Sequence, residues 1–399
     1  MSKILFNTHD VILLITSFLC LFFIINIFLT KQVVMQSKLL LAAFLLANAI
    51  IPLDILINYG AGVHPLAINE FPNWFYVFEA GYWVQGPLLL WYMRSLVYKN
   101  YSLSWSDLLY LLPFMIFELH QLVFYHSLAS EFKASLQIKY SFLTESITIF
   151  FITLTREGLR VFFGIMCLVE LNNYKKSMRN KFSTFNEADF TWINILVWGS
   201  LILWVMALFI ASIIIVTIKF NFIFDVGYVG LAANYLTCFM FASTLISLSC
   251  RSAVFEDIEK LGLITVKSVK NPINQSHVER LEELIAVKKP YMDSSLTLES
   301  LATMLAVSPR TLSTLINGHY QSNFYEFINK YRINEAKAML ASEKYRSSSV
   351  LDIMYEVGFN SKATFNNFFK KNEGITPSEY KKKFLLEMEA ETGIEAQAS

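Results

Sequence analysis

The sequence predicts an all-α protein in two parts: a seven-helix transmembrane bundle, then a domain of two helix-turn-helix modules joined by a linker helix. Three observations lead there. The 399 residues are 55% hydrophobic and only 16% charged, with a mean hydropathy of +0.44, whereas soluble chains carry about 25% charged residues. Apolar and charged residues are segregated: Met1 to about Cys250 is rich in Phe, Leu and Ile, while Arg251–Ser399 has ordinary soluble composition. After His277, capping residues recur ahead of short amphipathic runs. The net charge of +1 says little about partners. The split says more, because one part suits lipid and the other water.

A helix needs about 20 apolar residues to cross a bilayer. Seven stretches qualify: Val11–Leu29, Leu39–Ile57, Phe75–Val97, Leu108–Tyr125, Ile147–Val169, Ile193–Val216 and Val226–Leu248. The first is too long for a signal peptide and no small-residue cleavage site follows it; Cys20 within it follows Leu19 and not a small residue, which argues against a lipoprotein signal. Arg156, Glu157 and Arg160 interrupt the fifth, so Ser146–Thr155 is alternatively read as lying on the outer surface. Loop charge sets orientation. Lys31, Lys38, Arg94, Lys99, Lys175, Lys176, Arg179 and Lys181 fall in one set of loops and span ends; only Lys133, Lys139 and Lys219 fall in the other. The richer set belongs in the cytoplasm. The N-terminus is then expected outside and the C-terminal domain inside.

Charges within the spans are costly and invite a functional reading. Asp54, Glu79, Glu118, His120, Arg156, Glu157, Arg160 and Asp225 fall in the outer or middle parts of their spans, whereas Arg94 reads as an inner anchor. One account is an outward-opening polar pocket that senses a charged or hydrogen-bonding ligand, through Asp54, Glu79, Glu118, His120, Arg156, Glu157 and Arg160. The plainer account is pairing between helices or snorkelling to the interface. A retinal-type photoreceptor needs a Schiff-base lysine in the last span, and Val226–Leu248 contains none. Cys20, Cys167, Cys238 and Cys250 lie in apolar stretches without metal-ligand spacing, which predicts buried thiols and neither zinc nor disulfides. No HExxH, phosphate loop or GxSxG elbow is present, so no catalytic residue, metal or cofactor is expected. Glu118 and His120 are the residues an intramembrane enzyme would use for acid/base work.

Arg251–Ser276 reads as a linker, broken at Asn271-Pro272. His277–Lys289 is a predicted helix with Val278, Leu281, Leu284 and Ile285 on one face. The first module opens at Thr297, an N-cap, with Glu299 in the first turn and Leu298, Leu301, Ala302 and Leu305 as its apolar stripe. Ala306-Val307 forms the turn. Ser308-Pro309 starts the next helix, where Leu312, Leu315 and Ile316 face inward and Arg310, Ser313 and Thr314 are expected outward. An amphipathic helix with Phe324, Phe327, Ile328, Tyr331, Ala336, Met339 and Leu340 sets the distance to the second module. That module starts at the N-cap Ser349, with Val350, Ile353 and Val357 inward and Gly358 at a left-handed position. Ser361 caps the last recognition helix, where Phe365, Phe368 and Phe369 pack inward and Lys362, Asn366 and Asn367 face out. Lys370 and Lys371 extend that side toward phosphates, and Thr376-Pro377-Ser378-Glu379 is a capping box. Arg, Ser, Thr, Asn and Lys are side chains that read base edges in a major groove.

From Val278 to Lys383 the chain resembles the C-terminal domain of the AraC/XylS family of bacterial transcription regulators. The resemblance rests on Leu298-Glu299-Ser300-Leu301-Ala302, Ser308-Pro309-Arg310-Thr311-Leu312, Tyr331-Arg332, Glu335-Ala336, Leu340, Ile353, Val357-Gly358-Phe359, Phe365, Phe368-Phe369-Lys370, Gly374, Thr376-Pro377 and Tyr380. It implies two recognition helices in adjacent major-groove faces, with Arg310, Ser313 and Thr314 reading bases from the first and Lys362, Ala363, Asn366 and Asn367 from the second. The sequence departs at Leu315-Ile316-Asn317-Gly318, where many members carry a basic residue. The expected organisation is a sensor domain over residues 1–250, a linker over 251–276, the DNA-binding domain over 277–385 and an acidic, disordered tail over 386–399 that holds Glu387, Glu389, Glu391 and Glu395. The expected partners are double-stranded promoter DNA, the bilayer of the bacterial inner membrane, a small-molecule or membrane signal, a second copy of the chain and RNA polymerase. The competing expectation is a membrane receptor or transporter whose C-terminal domain has become a protein-interaction module.

Overall fold

The computed structural model describes residues 7–29, 35–98, 101–139, 147–184, 191–220, 227–249 and 275–386. Residues 251–274, which make up most of the expected linker, and the acidic tail from Glu387 lie outside them, as do Lys31, Lys99, Asp225 and Cys250. The described residues form helices and no strand. The chain divides into two units: Met1–Tyr174 with Ala188–Ile264, and Lys175–Glu187 with Thr265–Ser399.

The first unit contains α1 (Thr8–Leu29), α2 (Met35–Tyr59), α3 (Val63–Glu70), α4 (Ala80–Val97), α5 (Trp105–Leu108), α6 (Leu112–Gln121) and α7 (Ser130–Lys139). It also holds most of α8 (Ile147–Lys181), together with α9 (Thr191–Phe220) and α10 (Gly227–Ser249). Among the described residues, five stretches are long and apolar enough to cross a membrane: Thr8–Leu29, Met35–Tyr59, Trp105–His126, Thr191–Thr217 and Gly230–Ser247. Of the seven expected spans, the third and fifth are missing from this set. Both are helical, as α4 and α8, but α4 carries Gln85 and Arg94 among Gly, Trp and Tyr residues, and α8 carries Arg156, Glu157 and Arg160. These polar groups face protein: Gln85, Glu157 and Arg160 are buried.

α1 packs on α2 and α10, α2 on α4, and α9 on α10. The α2–α4 approach needs Gly81, because a Cβ there would sit 2.6 Å from the Ala47 carbonyl oxygen. The third span was expected to be helical from Phe75, yet α4 begins only at Ala80. Before it, Pro72–Trp74 forms a 3-10 turn, Phe75 is extended and Tyr76 is left-handed at φ 71°. The fourth stretch is segmented: a capping box joins Ser104 and Asp107, Pro113 follows near the start of α6, and a π-turn closes Leu122–His126. α3 and α7 were not foreseen. They pack together beside the Pro72–Trp74 turn, where Lys133 donates to Asn73 Oδ1 (2.7 Å) and the His126 carbonyl (3.0 Å). Arg94 is more than an anchor, for it pairs with Asp107 (2.9 Å) and Glu170 (3.4 Å).

The second unit contains α11 (Gln275–Lys288), α12 (Leu298–Met304), α13 (Pro309–His319), α14 (Phe324–Leu340), α15 (Val350–Glu356), α16 (Lys362–Glu373) and α17 (residues 377–386). The expected caps hold. Thr297 forms a capping box with Ser300, Ser308 accepts from Thr311 N, Ser349 forms a box with Asp352, and Ser361 accepts from Thr364 N. Two apolar cores share α14. Val278, Leu281, Leu301, Leu312, Ile316 and Ile328 fill the first, and Ile333, Ala336, Ile353, Val357, Phe365 and Phe369 the second. One rigid helix therefore carries both modules, since each core grips its own end of α14.

Candidate nucleic-acid interface and polar cavity

α13 and α16 are the second helices of their modules. On α13, Arg310 is exposed and Thr314 half-buried. Ser313, expected beside them, is buried, and its Oγ accepts from Asn317 Nδ2 at 3.2 Å. The reason is angular: at 3.6 residues per turn, position 313 lies about 60° from the inward-facing Ile316. Asn317 is exposed instead. It sits seven residues from Arg310 and three from Thr314, on the same helix face. Strict use of the helical period would have found it. On α16, Lys362, Ala363, Asn367 and Lys370 are exposed and Asn366 is half-buried. The face expected to be polar is thus presented outward while Phe365 and Phe369 are buried.

Two left-handed residues shape these modules. Ala306, at φ 56°, makes the turn between α12 and α13. Gly358, at φ 92°, makes the one before α16. A Cβ at Gly358 would lie 2.8 Å from the carbonyl oxygens of Tyr291 and Met292 and 3.0 Å from Arg332 Nε. Glycine is needed both for its backbone angle and for this close approach.

Arg332, fully buried on α14, is the polar centre of the unit. Its Nε donates to the Tyr291 carbonyl (2.6 Å). Nη1 donates to the Ser183 carbonyl (3.0 Å) and Asn329 Oδ1 (3.3 Å). Nη2 donates to Ser183 Oγ (3.0 Å) and the Asp293 carbonyl (2.8 Å). Burial lowers its pKa to about 10, so it remains charged at neutral pH. Ser183 N and Oγ also donate to the Leu296 carbonyl, and Phe182 bridges Thr297. Residues 182–183, which follow α8, are therefore part of the second unit's interior. Sequence reasoning missed this because Ser183 and Arg332 are 149 positions apart.

Six of the seven candidate sensing residues of the first unit converge on a cavity of about 470 Å³. Asp54, Glu79, His120, Arg156, Glu157 and Arg160 all line it; Glu118 does not. Arg156 pairs with Glu79 and, at 2.8 Å, with Glu157 Oε1. Arg160 pairs with Glu157 Oε2. The two guanidinium carbons lie 4.6 and 5.2 Å from the Tyr82 ring centre. Asp54 Oδ1 accepts from Asn58 Nδ2 at 3.2 Å. No group of His, Cys, Asp and Glu among the described residues is placed to hold a metal. Cys20 and Cys167 are buried and Cys238 half-buried, all three as free thiols.

Residues 301–383 match the family described as "Helix-turn-helix domain". Over 100 residues the chain is 31% identical to the uncharacterized HTH-type transcriptional regulator YtdP of Bacillus subtilis, a match covering 25% of this chain and 13% of that one. It is 31% identical over 109 residues to the uncharacterized HTH-type transcriptional regulator YijO of Escherichia coli, covering 26% and 38%. It is 24% identical over 118 residues to the melibiose operon regulatory protein of E. coli, covering 30% and 38%. The chain thus spans well under half the length of these relatives, and no solved structure matches it. The C-terminal part of the chain carries an AraC-type helix-turn-helix domain of the kind found in transcription regulators, on a chain whose described residues include five helices long and apolar enough to cross a membrane.

Proposed function

We propose that the protein is a membrane-anchored, one-component transcription regulator that binds promoter DNA sequence-specifically and responds to a signal received by its membrane part. The observation that carries this reading is the pair of capped helix-turn-helix modules fixed on one helix, α14, with Arg310, Lys362, Asn367 and Lys370 exposed on their second helices. Arg and Lys there reach guanine or phosphate, and Asn is suited to adenine. With α13 and α16 each in a major groove, the modules would read two faces about 34 Å apart. Arg310, Thr314, Lys362, Ala363, Asn366 and Asn367 are the proposed base-reading positions, and Lys370 a phosphate contact. Ser313, expected among them, is buried and accepts from Asn317 Nδ2.

All seven long helical stretches cross the inner membrane in this proposal, including α4 and α8, with the N-terminus outside and the C-terminal unit in the cytoplasm. The cavity lined by Asp54, Glu79, His120, Arg156, Glu157 and Arg160 is the proposed sensor. Transmission uses residues 175–187 in addition to the 251–276 linker. They comprise the last turns of α8, which carries Arg156, Glu157 and Arg160, and the residues that follow it, and they cluster with the second unit. A second copy of the chain and RNA polymerase are the further partners proposed; confinement to a membrane raises effective concentration for the first.

The test is genome-wide crosslinking and immunoprecipitation of the full-length, membrane-retained protein beside an Asn366→Ala/Asn367→Ala variant. Discrete promoter peaks that vanish in the variant are expected. Peaks absent under all growth conditions, with the protein present and folded, would refute the reading in favour of a protein-interaction module.

A further inference from the structure

We propose that the cavity of the first unit is a receptor site for a small organic amine whose protonated nitrogen pairs with Asp54. This rests on the sensing role proposed above and names the class of ligand. The carboxylates and guanidiniums lining the cavity do not balance: Asp54, Glu79 and Glu157 face Arg156 and Arg160, with the imidazoles of His64 and His120 beside them. The pairing shows which carboxylate is left over. Glu157 has both oxygens engaged, Oε1 by Arg156 and Oε2 by Arg160, and Glu79 is paired to Arg156. Asp54 has only the neutral amide of Asn58, on its own helix, and no ion-pair partner among the described residues. An ionised carboxylate in apolar surroundings is stabilised by a cation brought to it. An anionic ligand would add to the excess negative charge.

A second feature defines the other end of the ligand. Arg160 is 8% exposed, lines the cavity, and its Nε has no hydrogen-bond partner among the described residues. A buried donor of this kind calls for an acceptor. The site therefore suits an amine that also carries a hydroxyl or carbonyl oxygen. Tyr76 and Phe117 line the same cavity, and aromatic walls favour ammonium groups over other cations. The volume accommodates a molecule of metabolite size.

Purified full-length protein in detergent micelles is titrated with tyramine, putrescine and choline, and with two counterparts of tyramine: neutral N-acetyltyramine and anionic 4-hydroxyphenylacetate. Binding is read by calorimetry and by the thermal shift of the protein. Tyramine is expected to bind, and both counterparts to bind at least about thirtyfold more weakly. Asp54→Asn is expected to lose tyramine by the same factor and Asp54→Glu to keep most of it. Equal binding of tyramine and N-acetyltyramine, unchanged tyramine binding to Asp54→Asn, or no binding of any of the three amines overturns the proposal. Should Asp54→Asn fail to fold, the ligand comparison on the unmodified protein decides alone. Amine binding without any change in promoter occupancy would leave the amine site standing and remove the sensing role. Intact promoter occupancy with no amine binding would do the reverse.

Discussion

Replacing Arg332 by Met tests the account of how the DNA-binding unit is held together. The substitution keeps the long apolar stem and removes five donated hydrogen bonds: one to Tyr291, two to Ser183, one to Asn329 and one to Asp293. Not every acceptor is then stranded. The Ser183 carbonyl keeps the Asn329 amide at 3.3 Å, and the Asp293 carbonyl keeps Leu296 N at 3.2 Å. The Tyr291 carbonyl, pressed against Gly358, loses its donor. Hydrogen bonds to charged groups contribute about 1.5–3 kcal/mol each, and a stranded buried acceptor costs about 1–3 kcal/mol. Against that, the variant no longer desolvates a guanidinium, which returns several kcal/mol. The net expected loss is about 3 kcal/mol, a large part of the roughly 5–15 kcal/mol that stabilises a domain. Scanning calorimetry of the full-length protein should show the second unit melting more than about 10 °C lower. Arg332→Lys should recover little, because a point charge cannot reach Tyr291 on one side and Ser183 on the other. A loss below about 1 kcal/mol for Arg332→Met would show that the desolvation cost cancels the network and that the buried arginine is not what holds the unit together.

Three further outcomes follow from the second unit. Gly358→Ala should cost about 2–4 kcal/mol in denaturant unfolding, since it combines a left-handed backbone with a Cβ 2.8 Å from two carbonyl oxygens; Gly374→Ala, left-handed but with open space around it, should cost less. Hydrogen bonds from their capping boxes hold Asp352 and Glu379 below the usual carboxylate range, so their stabilisation is complete above the unfolded values near pH 4 and is lost as pH falls through the folded ones. Asp352→Asn with Glu379→Gln should accordingly flatten the acid limb of stability below about pH 5, and an unchanged limb would remove the caps from the explanation. Lys370→Ala should weaken DNA binding evenly across sequences and lower the salt slope by about one, whereas a change of preferred sequence would place Lys370 at a base.

The second unit was legible because its signals are local. A cap is read from four consecutive residues, and Thr297, Ser308, Ser349 and Ser361 all cap as their sequences indicate. The left-handed Gly358 is read the same way. Ser313 was misplaced because the i, i+3, i+4 rule ignores that position 313 borders the inward stripe. In the first unit, hydropathy finds long helices but not what breaks them: α3, α7 and the late start of α4 follow from tertiary packing around Tyr125 and Lys133. Charge in an apolar stretch proved a good guide to the cavity, since six of the seven candidates line it and Glu118 alone does not. The imbalance that singles out Asp54 needed the pairing, which no periodicity encodes.

The Ser183–Arg332 contact is where the proposed transmission is open to direct measurement. Ser183 follows the end of α8 by two residues, so the proposed route from that helix to Arg332 runs through Ser183. If the contact is energetically real, Ser183→Ala and Arg332→Met must be coupled. Ser183→Ala removes one acceptor from Nη2, which retains the Asp293 carbonyl, and one donor to the Leu296 carbonyl, which retains Ser183 N at 3.3 Å. Its own cost is then about 1 kcal/mol. In the Arg332→Met background the Nη2 bond is already gone, so the same change should cost less. The double-mutant cycle should return a coupling of about 0.5–1 kcal/mol, above the few tenths expected of independent sites. Promoter occupancy supplies the functional arm. Ser183→Ala leaves α13 and α16 untouched, so it should retain DNA binding while altering the response to the inducing condition. Additive stabilities, with an unaltered response, would confine Ser183 to packing and return transmission to the 251–276 linker.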